Sequence, residues 1–288
     1  MPSFQPAIFD KSASQHVFLE FALRRSDNAD AIKAALRTLR AGLNTDIKLM
    51  VAFGQRLWSL LDSSFEMPAF SLEGRVPATQ GDLLIWLQSG DRSSLYEAEM
   101  MVLDLLGAHC GVQLEIQGFV YRDSRDLTGF VDGIGNPEGK KALAAALVKE
   151  GHPGAGGSFV LTQKWIHKLH EFHQLEEAEQ ENVFGRTKAD AVEFDDERMP
   201  ANAHVGRTDI DRDGVPQKIW RRSVPYGNAR EQGLYFVGFS CELDRLDHLL
   251  RNMYDMNGEG VRDRLLDFSQ PVMSSWWYAP TEEWLGKL

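Results

Sequence analysis

The sequence has few cysteines, no long apolar run and no excess of basic residues. Cys110 and Cys241 are the two cysteines among 288 residues, too few for a disulfide framework, and no CxxC pair provides a thiolate metal site. No stretch reaches the roughly 18 consecutive apolar residues that span a bilayer. A net charge of -11 argues against nucleic-acid binding and against docking to an anionic membrane, since both need a concentrated basic surface.

The amino-terminal segment also lacks the features of a secretory signal. It reads MPSFQPAIFDKSASQHVFLEF, with no basic region followed by an apolar stretch. Together with the sparse cysteines, this predicts a protein of the reducing cytoplasm that acts without nucleic-acid or membrane partners.

Strand-like and helix-like segments alternate along the first 122 residues. Runs rich in Val, Ile, Leu and Phe predict strands at 16–24, 47–58, 82–89 and 112–122. Helically spaced apolar residues predict helices at 28–43 and 93–109. The order strand, helix, strand, strand, helix, strand is that of a ferredoxin-like unit, an antiparallel sheet with two helices on one face.

The second half of the chain follows a similar order less clearly. The expected elements are strands at 157–169 and 233–242, extended runs at 201–208 and 219–223, and helices at 173–186 and 243–254. Glycine-rich residues at about 141–156 predict a linker between two ferredoxin-like halves, 1–140 and 157–288, of one structural unit. We therefore predict an α+β fold whose antiparallel sheets pair into a barrel of the dimeric α+β kind.

The segment GFVDGIGNPEG, residues 129–139, has two interpretations. Its Asp-Gly and Asn-Pro pairs form turns readily, which indicates a surface loop. Its glycines would also allow the backbone to run close to a bound group and to present Asp132 to it.

Histidines offer two candidate ligand sites. His167, His170 and His173 are three apart, which on a helix places them near one face, and histidine is a common metal ligand. No carboxylate completes an HExxH-type arrangement, so a solvated stretch is the favoured interpretation there. His204 stands alone in MPANAHVGRTDIDRDG, and a single histidine is more often a core or surface residue than a ligand.

Three stretches give His204 a context. They are GFVDGIGNPEG, QKWIHKLHEFHQLEEAEQENVFGRTK and AHVGRTDIDRDGVPQKIWRRSVPYGNAREQGLYFVGF. In this order they resemble the dye-decolourising peroxidases, a family of haem enzymes, and most closely the bacterial P or B subgroup. The resemblance runs from HVFLEF to PVMSSWWYAP, nearly the whole chain. It implies two ferredoxin-like halves with one haem b per chain between them.

The resemblance also implies roles for individual residues. His204 would be the proximal ligand of the haem iron, with Asp132, Arg221 and Ser223 on the opposite, distal side. Asp263 is the candidate to accept a hydrogen bond from the ring of His204. Other residues expected at the cofactor are Leu234 and Phe236 as an apolar wall, and Ile134, Gly135, Asn136 and Arg207 near a haem propionate. For Arg207 a surface ion pair is an equal alternative.

The implied activity is reduction of hydrogen peroxide, with one-electron oxidation of organic dyes and phenolic-type reductants through a ferryl intermediate. In such chemistry Asp132 would carry the proton, Arg221 would stabilise the developing negative charge and Ser223 would orient peroxide or water. The alternative is a haem-handling protein, a carrier or a haem-modifying enzyme, which would need His204 but neither Asp132 nor Arg221. A homo-oligomer, dimer or larger, is also expected from the resemblance.

Overall fold

A computed structural model describes residues 3–24, 29–62, 64–72 and 74–288. Its strands are β1 Gln15–Leu23, β2 Lys48–Phe53, β3 Leu83–Ser89, β4 Cys110–Phe119, β5 Ser158–His167, β6 Asp211–Arg212, β7 Val215–Pro216, β8 Trp220–Arg221, β9 Val224–Gly227, β10 Gln232–Ser240 and β11 Ser269–Ala279. Its α-helices are α1 Ala29–Gly42, α2 Gln55–Leu61, α3 Arg92–Leu106, α4 Gly139–Ala146, α5 Leu169–His173, α6 Glu177–Phe184, α7 His204–Thr208, α8 Leu243–Met253 and α9 Glu282–Leu285. Short 3-10 helices cover Pro6–Ile8 and Arg264–Asp267.

Both halves of the chain build the same strand order. β2, β3, β1 and β4 lie side by side in the first half, and β9, β10, β5 and β11 in the second. If these four strands of each half are numbered in chain order, they lie side by side in the order second, third, first, fourth. Every neighbouring pair is antiparallel, as in a ferredoxin-like unit. The α+β class and the ferredoxin-like antiparallel sheets predicted from the sequence are confirmed.

The two sheets join into a closed ring. β2 meets β11 at Phe53 and Tyr278, and β4 meets β9 at Gly118 and Tyr226. Because β10 also pairs with β5, no gap remains between the eight strands of the two halves. Alternate side chains fill the interior, chiefly Phe18, Met50, Leu84, Trp86, Tyr235, Val237, Phe239 and Trp277.

Outside the ring, the first half is covered by two helices. The apolar faces of α1 and α3 pack on the outward side chains of β1, including Val17, Leu19 and Phe21, and all three of these are fully buried. Ile32 and Leu36 of α1 and Val102 of α3 are equally inaccessible to solvent. The helical periodicity read from the sequence produces this packing.

The second half is covered differently. Between β5 and β9 the chain forms the short helices α5, α6 and α7 and a small hairpin of β6 and β7, and α7 packs against α8. The outward faces of β5 and β10 therefore border a cavity between the sheet, α7 and α8.

Several boundaries differ from the sequence-based expectation. The strand predicted at 47–58 ends at Phe53, and Gly54 becomes the N-cap of a helix at a place where a Cβ would lie 2.0 Å from the Gly81 carbonyl oxygen. The chain then turns into α2, which buries Leu57 and Trp58. The helix predicted to start at residue 28 is α1, and residue 28 itself lies outside the described residues.

In the second half, residues 201–208 were expected to be extended, which is wrong for residues 204–208. A turn from Ala203 to the Pro200 carbonyl leads into α7 instead, and five residues are too few to show helical periodicity. The single helix predicted at 173–186 is interrupted, with α5 ending at His173 and α6 starting at Glu177.

The predicted linker, 141–156, contains most of α4 before its glycine-rich turns. The division into halves at 1–140 and 157–288 stays a prediction. Within the described part of the chain, no helix is both long and apolar enough to span a bilayer.

Candidate active site

The cavity in the second half has an apolar body and a few polar groups. Its volume, including the open mouth, is about 1400 Å³. The apolar lining comes from β5, β10, α6 and α8, and includes Leu161, Trp165, Leu234, Phe236, Phe184, Leu246, Leu249, Leu250 and Met253. Among the polar lining residues are His204, Asp132, Arg221 and Ser223, so the structure brings these four predicted site residues together. An apolar pocket with a few convergent polar groups is the usual form of a cofactor site.

His204 is held by a buried carboxylate. It is the first residue of α7, and its Nδ1 atom lies 2.6 Å from Oδ2 of Asp263. Asp263 is fully buried, and its other carboxylate oxygen accepts a hydrogen bond from the Leu265 amide at 2.8 Å. Asp267, the neighbouring acid in the sequence, pairs with Arg262 instead. The imidazole is therefore fixed through Nδ1, which leaves Nε2 available to a ligand or metal.

Asp132 sits in a loop whose backbone needs glycine. Gly129 and Gly133 have φ angles of 93° and 76°, in the left-handed region where side chains are strained. The Asp132 amide donates to the Ser124 carbonyl at 2.9 Å, and Oδ1 of Asp132 accepts from the Gly133 amide at 2.8 Å. The loop bends at Asp-Gly as predicted and places Asp132 in the cavity lining. That its backbone runs close to a bound group stays a prediction.

Arg221 ends β8 at the edge of the sheet, and Ser223 lies two residues later, just before β9. Within the described part of the chain, the guanidinium of Arg221 makes no hydrogen bond or ion pair, although it lines the cavity. Its Nη2 atom passes over Gly135, where an added Cβ would lie only 3.2 Å away. The Ser223 hydroxyl oxygen is buried and has no hydrogen-bond partner among the described residues. Buried hydroxyls without partners are rare in folded proteins, which points to a bound group or water at this position.

Arg207 does not line the cavity. Its guanidinium donates to the backbone and side-chain oxygens of Asn252 at 2.8 Å each and to Glu259 at 2.8 Å. Its side chain is buried and forms an ion pair with Glu259, which agrees in part with the ion-pair alternative, and the contact with a haem propionate stays a prediction. Arg207 ties α7 to the end of α8.

The predicted group Ile134, Gly135 and Asn136 divides in the structure. Gly135 lines the cavity, whereas Ile134 is 39% exposed and lies outside the lining. The Asn136 amide is already used, because it donates to the Gly133 carbonyl at 3.1 Å. The contact of these three residues with a haem propionate stays a prediction.

Arg186 is a cavity residue that sequence reasoning did not single out. Its side chain is buried and donates from Nη2 to the carbonyl of Val131 at 2.7 Å. Its Nε atom is buried without a partner among the described residues. Burial lowers the pKa of Arg186, and the nearby carboxylate of Asp132 opposes this shift. The quoted stretch ending in GRTK contains this arginine, but nothing local distinguishes it from a surface cation.

A second missed feature is a chain of hydrogen bonds in the cavity wall. His167 Nε2 lies 3.1 Å from Asp126 Oδ1, and His167 Nδ1 lies 2.8 Å from the Ser269 hydroxyl. Burial would raise the pKa of Asp126, but His167 and two hydrogen bonds from Thr128 outweigh it and lower this pKa to about 2. His167 is thus a buried residue at the end of β5, not part of a solvated stretch, whereas His170 and His173 are exposed.

No group of three or more His, Cys, Asp or Glu side chains within the described ranges is arranged to hold a metal ion. His204 is a single histidine whose ring is bonded to one carboxylate, Asp263. This arrangement is typical of a residue that binds the metal of a larger cofactor such as haem.

Comparison with known proteins identifies the family. Residues 123–284 match the family model described as Dyp-type peroxidase, C-terminal, which covers more than half of the chain. The chain belongs to the Dyp-type peroxidases. The family contains dye-decolorizing peroxidases similar to this chain from Rhodococcus erythropolis, 38% identical over 213 residues, and Mycobacterium tuberculosis, 39% identical over 213 residues. These matches cover 73% of this chain but 62% and 64% of those relatives, so the chain spans less than two thirds of their length.

Solved structures of the family share the whole fold. A DypB variant from Rhodococcus jostii in complex with heme is 31% identical, with a TM-score of 0.87, and the match covers 95% of this chain and 94% of that one. A dye-decolorizing protein from V. cholerae is also 31% identical, with a TM-score of 0.87 and coverage of 98% and 99%. A curated Dyp-type relative from Brevibacterium linens is 30% identical over 93% of this chain and 78% of its own length.

Proposed function

We propose that this chain is a haem-dependent peroxidase that reduces hydrogen peroxide and oxidises organic dyes and phenolic-type reductants in one-electron steps. The observation that carries the proposal is one cavity lined by the His204 imidazole, with Asp263 behind it, and by Asp132 and Arg221. Membership of the Dyp-type family and the heme complex of DypB support it.

The residues present fit haem b, one per chain. An apolar cavity suits the porphyrin, and Nε2 of His204 suits the iron. The partnerless Ser223 hydroxyl and Arg186 Nε are polar atoms that a bound group would satisfy. We assign Arg186, in place of Arg207, to an anionic propionate, because a guanidinium matches a carboxylate and Arg207 has its partners already. Leu234, Phe236 and Gly135 would contact the ring or its edge. When bound, haem supplies the redox-active iron at which peroxide is reduced and the reductant is oxidised.

Each polar residue then has a separate task. The carboxylate of Asp132 takes a proton from hydrogen peroxide and returns it to the departing oxygen. Arg221 lines the cavity and stabilises the negative charge that develops on the oxygens, and among the described residues no other group takes up its guanidinium donors. Ser223 orients peroxide or water through its hydroxyl. Asp263 holds the His204 ring and increases its basicity as a ligand.

A haem-handling protein would need His204 and the apolar walls alone. The glycine-dependent loop that presents Asp132 and the unpaired cation of Arg221 would have no task in such a protein. The peroxidase is therefore the function that the cavity supports best.

The test is to load the protein with haem and to follow both the Soret band and the peroxide-dependent oxidation of a dye and a phenol. Free haem at the same concentration is the control. A Soret band with turnover well above free haem is expected. A stable Soret band without peroxide reactivity would favour the haem-handling alternative, and no Soret band would contradict both.

The setting of the enzyme is part of the same proposal. We infer a homo-oligomer, dimer or larger, acting in the cytoplasm without nucleic-acid or membrane partners, which agrees with two free, buried cysteines. Light scattering of the purified protein and fractionation of the source cells would test these points.

A further inference from the structure

Asn136 connects the loop that carries Asp132 to the strand that carries Arg221. Its side-chain Nδ2 donates to the Arg221 carbonyl at 2.8 Å, and its Oδ1 accepts from the Arg221 amide at 2.9 Å. One amide side chain therefore satisfies both backbone groups of a single residue, as a neighbouring strand would.

Arg221 needs this support because β8 is an edge of the sheet. β8 has two residues, lies at the end of the strand order and pairs with β10 alone through Arg221 and Trp220. Its other edge is where Asn136 binds. Two residues paired on one side are a weak anchor for a side chain that must hold a fixed position.

The same amide also depends on the loop of Asp132. The Asn136 backbone amide closes a turn on the Gly133 carbonyl, and a Cβ at Gly133 would lie 3.2 Å from Asn136 Nδ2. Gly133 in turn follows Asp132 directly, and its amide bonds the Asp132 carboxylate. The Arg221 guanidinium in turn lies next to Gly135 of the same loop.

We propose that Asn136 is the positioning residue for Arg221, and that its amide sets the placement of Arg221 relative to Asp132. The inference rests on the proposed function for its consequence, but the contact itself does not. The Asn136 amide carries a donor and an acceptor side by side, whereas an aspartate carboxylate at this position would place a lone pair against the Arg221 carbonyl.

The first test needs no cofactor. Hydrogen–deuterium exchange of the segment 219–223 is measured in the cofactor-free protein for the parent, Asn136→Ala, Asn136→Asp and a control, Asn182→Ala. Asn182 is also partly buried, but it bonds Glu179 on α6. Faster exchange of the Arg221 amide is expected in Asn136→Ala, which removes its acceptor, and not in the control; Asn136→Asp keeps the acceptor and should show a smaller change. Unchanged exchange would overturn the proposal.

The second test uses fluoride, a small anion that binds ferric haem and is sensitive to a hydrogen-bond donor beside it. We expect Asn136→Ala to weaken fluoride binding by about tenfold, because Arg221 is then held less firmly beside the anion and a charge-assisted hydrogen bond that is largely lost corresponds to about this factor. In an Arg221→Leu background the same substitution should change fluoride affinity by less than about twofold, since the effect runs through Arg221. Equal losses in both backgrounds would show a general structural role and would overturn the positioning role.

The two tests separate the proposals. If the protein binds no haem, the proposed function fails, whereas faster exchange at Arg221 in cofactor-free Asn136→Ala would still support the positioning of Arg221 by Asn136. If haem binds and reacts with peroxide but both Asn136 variants behave like the parent, the function stands and this inference is wrong.

Discussion

The two halves of the molecule share a strand order and differ in what lies on it. In the first half, long amphipathic helices α1 and α3 seal the outer face of the sheet. In the second half, the connection between its first two strands, β5 and β9, forms the short helices α5–α7. A cavity separates α7 and α8 from the sheet. The same scaffold thus serves for stability in one half and for a binding site in the other, because function depends on side chains placed on a fold.

The comparison is also visible on matching strands. The outward residues of β1 are Val17, Leu19 and Phe21, all buried against helices. Their counterparts on β5 include Gln163 and His167, which line the cavity. Because a cavity lies between this sheet and its helices, Gln163 and His167 can face outward from the barrel and still be buried.

Removing the ligand candidate should have the largest effect. We expect His204→Ala to abolish stable haem binding and, with it, dye oxidation, because the remaining lining offers apolar contacts without a bond to iron. Haem retention after gel filtration measures this. His170→Ala, an exposed histidine on α5, is the control and should retain haem. Normal retention by His204→Ala would place the site elsewhere.

Removing the unpaired cation should have the next largest effect. We expect Arg221→Leu to lower the rate of reaction with peroxide by about 10²–10³, the usual loss when one preorganised donor is removed. Haem binding should stay near that of the parent. Arg212→Leu, an exposed arginine of β6 paired with Asp244, is the control. A rate within a few-fold of the parent would remove Arg221 from the mechanism.

Matched leucine truncations would test the difference in packing. Leu36→Ala on α1 empties a sealed core position and should lower the free energy of unfolding by about 2–5 kcal/mol. Leu249→Ala on α8 should lower it less, because its side chain already borders the cavity. Denaturant midpoints of both cofactor-free variants measure the difference. Equal losses would mean that the second half is packed as tightly as the first.

The buried pair of Asp126 and His167 should affect acid stability. The folded-state pKa of Asp126 is depressed to about 2, so its contribution is present above its unfolded value near 4 and is lost as the pH falls towards 2. A shift of this size corresponds to about 2 kcal/mol. Asp126→Asn should therefore reduce stability at neutral pH and flatten the stability profile between about pH 4 and 2. An unchanged profile in that window would contradict this assignment.

Much of the fold could be read from the sequence. The strands rich in branched and aromatic residues and the helical spacing of Ile32, Leu36 and Leu39 predicted the first half, because both patterns repeat locally. The helix of His204 could not be read, because five residues show no period and α7 is held by contacts with α8.

Site residues could be predicted where a short stretch of sequence marks them, and could not be predicted where distant segments meet only in the fold. Asp132 could be singled out because its glycines mark an unusual backbone path. The link of Asp126, His167 and Ser269 could not, because three distant segments meet only in the folded chain. Arg207 was expected near a propionate from its position close to His204 in the sequence, yet α8 and the loop after it take up the donors of Arg207.

The most direct test of the central claim, that the cavity of the second half performs peroxide chemistry with Asp132 as the proton carrier, is a stopped-flow measurement. Haem-loaded parent, Asp132→Asn and Asp104→Asn proteins would be mixed with hydrogen peroxide and followed through the Soret band. Asp104 lies exposed on α3 in the sealed half. We predict that Asp132→Asn reacts about 10²–10⁴ times more slowly than the parent, while Asp104→Asn matches it. Equal rates in all three proteins would contradict the account.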